Sequence, residues 1–110
     1  MINDTLAKIE AQIQNAGALK PEAKAELVAL VSTLKGEVAQ LSKTHRDEAQ
    51  SIAGFTQVST HEATREQRDP ALLKHSLDGL TASVGRFEGT HPRLVEVVNA
   101  VCRTLANLGI

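Results

Sequence analysis

Leu73, Leu77, Leu80, Val84 and Phe87 are spaced four, three, four and three residues apart, and Leu94, Val98, Val101, Leu105 and Leu108 repeat that stepping. Side chains at this spacing fall in one narrow stripe of an α-helix, which packs as knobs into the holes of a neighbouring helix. Asp69 followed by Pro70 supplies an N-cap and a first-turn proline for one of these helices. Thr90, His91 and Pro92 offer a hydroxyl cap and a proline for the other, and Gly109 closes it. Two amphipathic helices of equal length, over about 70–88 and 92–108, joined by a few residues at Gly89, predict an antiparallel hairpin.

The first half carries two further stripes. Leu6, Ile9, Ile13 and Ala16 define a short helix over about 3–16, and Gly17 stands where a left-handed residue often ends a helix. Pro21 and Glu22 start a second helix, whose seam is Leu27, Val31, Leu34, Val38 and Leu41 and continues in register to His45, Glu48, Ile52 and Phe55. Polarity enters that seam at His45. Either the helix ends or becomes exposed near Lys43, or it runs on with His45 and Glu48 fixing register, and the cost of burying charge favours the first. This helix is drawn over about 21–50, with an extension to 67 as the alternative. Residues 54–59 are then either a loop or a weak stretch of one long helix, and Ser59 with Glu62 has the spacing of a capping box that would restart a helix. No strand alternation competes with this all-α reading of a single domain over 1–110.

Leu, Ile, Val and Phe number 29 of 110 residues, enough to fold, but Trp and Tyr are absent and Phe55 and Phe87 are the only aromatics besides histidine. So thin an aliphatic core suits a narrow bundle and gains from a second copy covering more surface. A second helix longer than about 35 Å cannot be covered by a first of about 21 Å, so its remaining stripe must meet the other helices or another subunit. A two-fold dimer is the simplest closure. Leu27, Val31, Leu34, Val38, Leu41, Leu94, Val98, Val101, Leu105 and Leu108 are therefore read as a core or oligomer seam.

The formal charge of −1, from 12 basic and 13 acidic residues well mixed, gives no positive face for a nucleic-acid backbone. The longest unbroken aliphatic run, Leu27–Val31, is too short for a membrane span, and the amino-terminal residues do not read as a secretory signal. Cys102 is the single cysteine, which fits a reducing cytoplasm.

Candidate chemistry is sparse. His45 would bind metal only if Glu48, one turn on, and residues of another helix converged with it. His75 reads as solvated, and His91 as a packing residue of a turn. Glu88 and His91 have the Glu-x-x-His spacing of di-iron bundles, but the motif occurs once and spans a glycine break. In His61-Glu62-Ala63-Thr64-Arg65 an arginine replaces the second histidine of the zinc-protease pattern. Cys102 reads as a small hydrophobe at the edge of a packed face, and Gly85 and Gly89 make no phosphate loop. No catalytic residue, cofactor site or metal site is assigned, and the chain is not read as an enzyme.

The ending Arg86-Phe87-Glu88-Gly89-Thr90-His91-Pro92-Arg93-Leu94, with Leu105-Ala106-Asn107-Leu108-Gly109-Ile110, resembles the carboxyl-terminal half of short bacterial proteins grouped as domain of unknown function 4404. The phrase Phe-Glu-x-x-His-Pro-x-Leu and the terminal Leu-Gly-Ile carry the likeness over about the last 40 residues. Ser51–Thr56 with His61–Arg65 resembles one subgroup, the stretch Asp47–Arg68 is longer than in compact members, and residues 1–45 share only the amphipathic pattern. The resemblance implies bacterial origin and a helical fold. It implies no activity and transfers no functional residue.

The sequence thus predicts an antiparallel, coiled-coil-like helical bundle, dimeric and cytoplasmic, working as a homo-oligomeric interaction or scaffold module that also has room for an unidentified protein partner. A ligand- or metal-binding bundle gathering His45, Glu48, His61 and Glu62 is the alternative. If interaction is the role, the surface is expected at Ile52, Phe55, His61, Glu62 and Arg65, because Phe55 sits in a stretch too polar to bury it fully.

Overall fold

The proline-marked starts at 21, 70 and 92 are all used. A computed structural model of the chain describes residues 2–17 and 19–108, with side chains from Asp4 onward. It contains α1 (Ile2–Gln14), α2 (Pro21–Ser42), α3 (Arg46–Thr64), α4 (Pro70–Val84) and α5 (Pro92–Leu108), with a 3₁₀ turn at Gly85–Phe87. No strand occurs among the described residues. Asp69 caps α4 as its sequence position predicts, its Oδ1 accepting from the amides of Ala71 (3.0 Å) and Leu72 (3.3 Å).

Four helices close a ring: α2 and α4 each pack against both α3 and α5, and α1 lies in the groove between α2 and α3. Successive helices run antiparallel. Lys24 donates to the Gln14 carbonyl at one end of the α1–α2 pair, while Lys35 meets Glu10 further along. Thr104 on α5 donates to Glu26 on α2, and Arg86 after α4 meets Glu48 at the start of α3. The Arg68 guanidinium donates to the Leu108 carbonyl, tying the α3–α4 turn to the end of α5.

The expected helix over 21–50 is corrected. α2 stops at Ser42, where Lys43 and Thr44 tighten into i→i−3 bonds on Gln40 and Leu41, and a new helix begins at Arg46. Residues 54–59 are neither loop nor weak stretch but the middle of α3. Ser59 and Glu62 accordingly form no capping box: Ser59 is fully buried in mid-helix. The α1 end is corrected too, since Ala16 bonds back to Ile13 and no described glycine, Gly17 included, has positive φ. The Thr90 hydroxyl shares a hydrogen bond with His91 Nδ1 (3.0 Å) instead of capping α5. Gly109 lies outside the described residues.

The break at His45 resets the register. The buried face of α3 is Ala49, Ile52, Ala53, Thr56, Ser59, Thr60, Glu62 and Ala63, shifted from the seam extended from α2, with which it shares Ile52. Apart from Ile52 and Glu62 these side chains are small, which lets α3 approach all four other helices closely. Its threonines need no outside partner: Thr56 donates to the Ile52 carbonyl (2.7 Å), Thr60 to Thr56 (2.8 Å) and Thr64 to Thr60 (2.7 Å). A segment polar by composition thus forms the centre of the bundle.

The residues read as a core or oligomer seam are used up within one chain. Leu27, Val31, Leu34, Val38, Leu41, Leu94, Val98, Val101 and Leu105 are fully buried, and Leu108 packs against the same cluster. The nine buried residues face the interior of a single chain, and the stripe of α2 is covered by α1, α3 and α5.

Candidate interaction surface

Three large apolar side chains are exposed among the described residues, Phe55 (40%), Val58 (49%) and Leu72 (46%), and all lie on α3 and α4. Because α3 follows Ala49 and Ala53 into the core, Phe55 falls on its outer flank. There its ring lies on the surface of α4 at Gly79, where a methyl group would come within 2.5 Å of Cε1. Gly79 is what lets the ring lie down. Around it a shallow groove is lined by Glu48, Ser51, Ala82, Ser83 and Arg86. The Arg86 guanidinium closes one end, pairing with Glu48 at 3.0 Å and standing 5.2 Å over the Phe87 ring.

On the other flank of α3, Gln57, Val58 and His61 form a second groove with Lys8 and Gln12 of α1. α3 is therefore a ridge between two grooves. Near its carboxyl end Arg65 holds the nearly buried Glu62 at 2.9 Å, with His61 Nε2 at 3.9 Å from the same carboxylate.

Of the five residues expected at an interaction surface, Phe55, His61 and Arg65 reach the outer side of α3, with Arg65 half-buried. Ile52 is fully buried in the core, and Glu62 faces inward with Arg65 as its lid. The sequence reasoning missed Val58, Leu72 and Gly79. Val58 stands one turn beyond Phe55, a signal present in the chain, whereas the pairing of Phe55 with Gly79 exists only after folding.

The residues weighed as metal ligands are not gathered. Glu48 is held by Arg86, His61 stands on the outer face, and His45 packs edge-on against Phe87 with ring centroids 5.2 Å apart. His91 meets the same Phe87 ring at 5.5 Å, and His45 lies 6.3 Å from His91. Thr44 and Thr90 each share a hydrogen bond with Nδ1 of the histidine that follows, at 2.8 and 3.0 Å. This aromatic corner joins the α2–α3 turn to the turn before α5 and gives Phe87 and His91 a packing role. No group of three metal-ligating side chains converges among the described residues. On the far side, burial pushes the Cys102 thiol above its ordinary pKa, against the lowering effects of the Thr81 hydroxyl 3.7 Å away and of Arg103.

Fold and surface together define an all-α protein, a closed four-helix ring with a fifth helix laid on it, whose exposed large apolar side chains among the described residues all belong to α3 and α4. No described helix is long and apolar enough to cross a membrane. The chain belongs to the family described as Domain of unknown function (DUF4404), whose sequence profile matches residues 29–110. No curated protein and no solved structure matches it.

Proposed function

We propose that the protein is an interaction module that associates with a second copy of itself through the outer face of α3 and α4, and that it acts by presenting surface rather than by catalysis. One observation carries the reading: the exposed large apolar side chains Phe55, Val58 and Leu72 all lie on α3 and α4, while α1, α2 and α5 expose none among the described residues. Apolar side chains gathered on one face of a small protein mark a surface that another molecule covers. Cys102 as a single, partly buried thiol suits a reducing cytoplasm as the setting. Sedimentation velocity over a concentration series tests the proposal. A reversible monomer–dimer equilibrium with a dissociation constant of roughly micromolar order is expected. A folded chain that stays monomeric to a few hundred micromolar overturns it.

A further inference from the structure

Along the outer ridge of α3, Asp47, Ser51, Gly54, Val58, His61 and Arg65 step by four, three, four, three and four residues. This is the spacing of a helix-pairing seam, and it faces away from the core. The seam is symmetric about Thr56, with an acid at one end and a base at the other, a glycine and a valine flanking the centre, and a serine and a histidine between. Such a pattern is complementary to itself when reversed.

From this we infer that α3 pairs antiparallel with α3 of a second copy, about a two-fold axis crossing the helix at the level of Thr56; the inference rests on the self-association proposed above. In that register Asp47 meets the partner's Arg65, Ser51 meets the partner's His61, and Val58 sits over the partner's Gly54, each contact made twice. Gly54 suits this role: a side chain there would meet nothing within 4 Å in its own chain, so the helix surface is open to a knob from outside. Asp47 has no ion pair within the chain among the described residues, and Arg65 keeps part of its guanidinium in solvent beside Glu62. The same two-fold puts both α4 helices on one flank, so the two Phe55 rings lie within a turn of the axis and Leu72 faces the partner's α3–α4 groove. A face about 28 Å long and two helices wide covers roughly 550 Å² of each copy, near the lower limit for a specific interface, so the pair is reversible.

Charge reversal in mixtures separates this register from any other dimer. Asp47→Lys and Arg65→Glu each place like charges together twice in their own homodimers. Mixed one to one, they restore both attractive pairs. Each variant alone is expected to dissociate at least about tenfold more readily than wild type, and the mixture to return to within about threefold of it. Circular dichroism shows whether each variant remains folded. Independently of charge, a mixture of Gly54→Cys and Val58→Cys chains carrying Cys102→Ser should form a disulfide-linked pair on mild oxidation, whereas Gly36→Cys on the outer face of α2 should not. A wild-type dimer that shows neither rescue nor the crosslink refutes the α3 register and leaves self-association standing. A wild-type monomer refutes both.

Discussion

Replacing Gly79 by alanine tests the seat of Phe55, the contact that shapes the exposed face. In an isolated helix the change stabilises by about 1 kcal/mol, because alanine loses less backbone freedom than glycine. Here the new methyl would stand 2.5 Å from Phe55 Cε1 and 2.8 Å from Cδ1, so the ring must shift from its seat. Phe55 is 40% exposed, and its covered remainder, about 120 Å² of a side chain of roughly 200 Å², corresponds to about 3 kcal/mol as an upper bound. The displaced ring recovers part of that elsewhere. Gly79→Ala is therefore expected to destabilise the wild-type chain by about 1 kcal/mol, and to stabilise a Phe55→Ala chain by about 0.5–1 kcal/mol. The resulting coupling is about 2 kcal/mol in a double-mutant cycle, read by urea denaturation followed by circular dichroism. Effects that add to within about 0.5 kcal/mol would show that the ring does not rest on Gly79.

Two further substitutions probe the interior. Ser59 Oγ is buried with no hydrogen-bond partner among the described residues, so Ser59→Ala is expected to be neutral or to stabilise by up to about 1 kcal/mol in the same denaturation assay; a loss larger than that would reveal a partner for the hydroxyl. Cys102, whose thiol burial holds in the protonated form, should react with a disulfide reagent at neutral pH more slowly than a free thiol, and faster as pH rises beyond the ordinary thiol range. Because the unfolded chain ionises this thiol first, stability should fall as pH passes that range, and Cys102→Ala should remove that part of the slope. A thiol reacting as fast as a small-molecule thiol at neutral pH would contradict this.

The helices most legible in the sequence are those whose packing residues are large. In α4 and α5, leucine and valine stand against polar neighbours at helical spacing, and prolines mark both starts, so hydrophobicity alone reports the buried face. α3 was obscured because its buried face is chosen by size. Ala49, Thr56, Ser59 and Ala63 bury well but offer no contrast in polarity, and the threonine hydroxyls that give the stretch a solvated look are satisfied by its own carbonyls. Following the large residues Ile52 and Phe55 kept the wrong register, since the turn at Lys43–His45 shifts the phase. The surface was legible only in part. Phe55 is legible as an aromatic in a stretch too polar to bury it fully, but Gly79 lies 24 residues away, and the ridge from Asp47 to Arg65 mixes charge, glycine and valine in a pattern without a hydropathy period.

The association proposed for this bundle brings its α3 and α4 face against a second copy. Backbone amide chemical shifts recorded between about 5 µM and about 500 µM protein test it directly, residue by residue, across the expected range of dissociation constants. The expected result is concentration-dependent movement confined to the outer faces of α3 and α4, from Asp47 to Arg65 and from Leu72 to Arg86, with the outer surfaces of α2 and α5 unmoved. Shifts concentrated on α2 and α5, or none over the whole range, would contradict it.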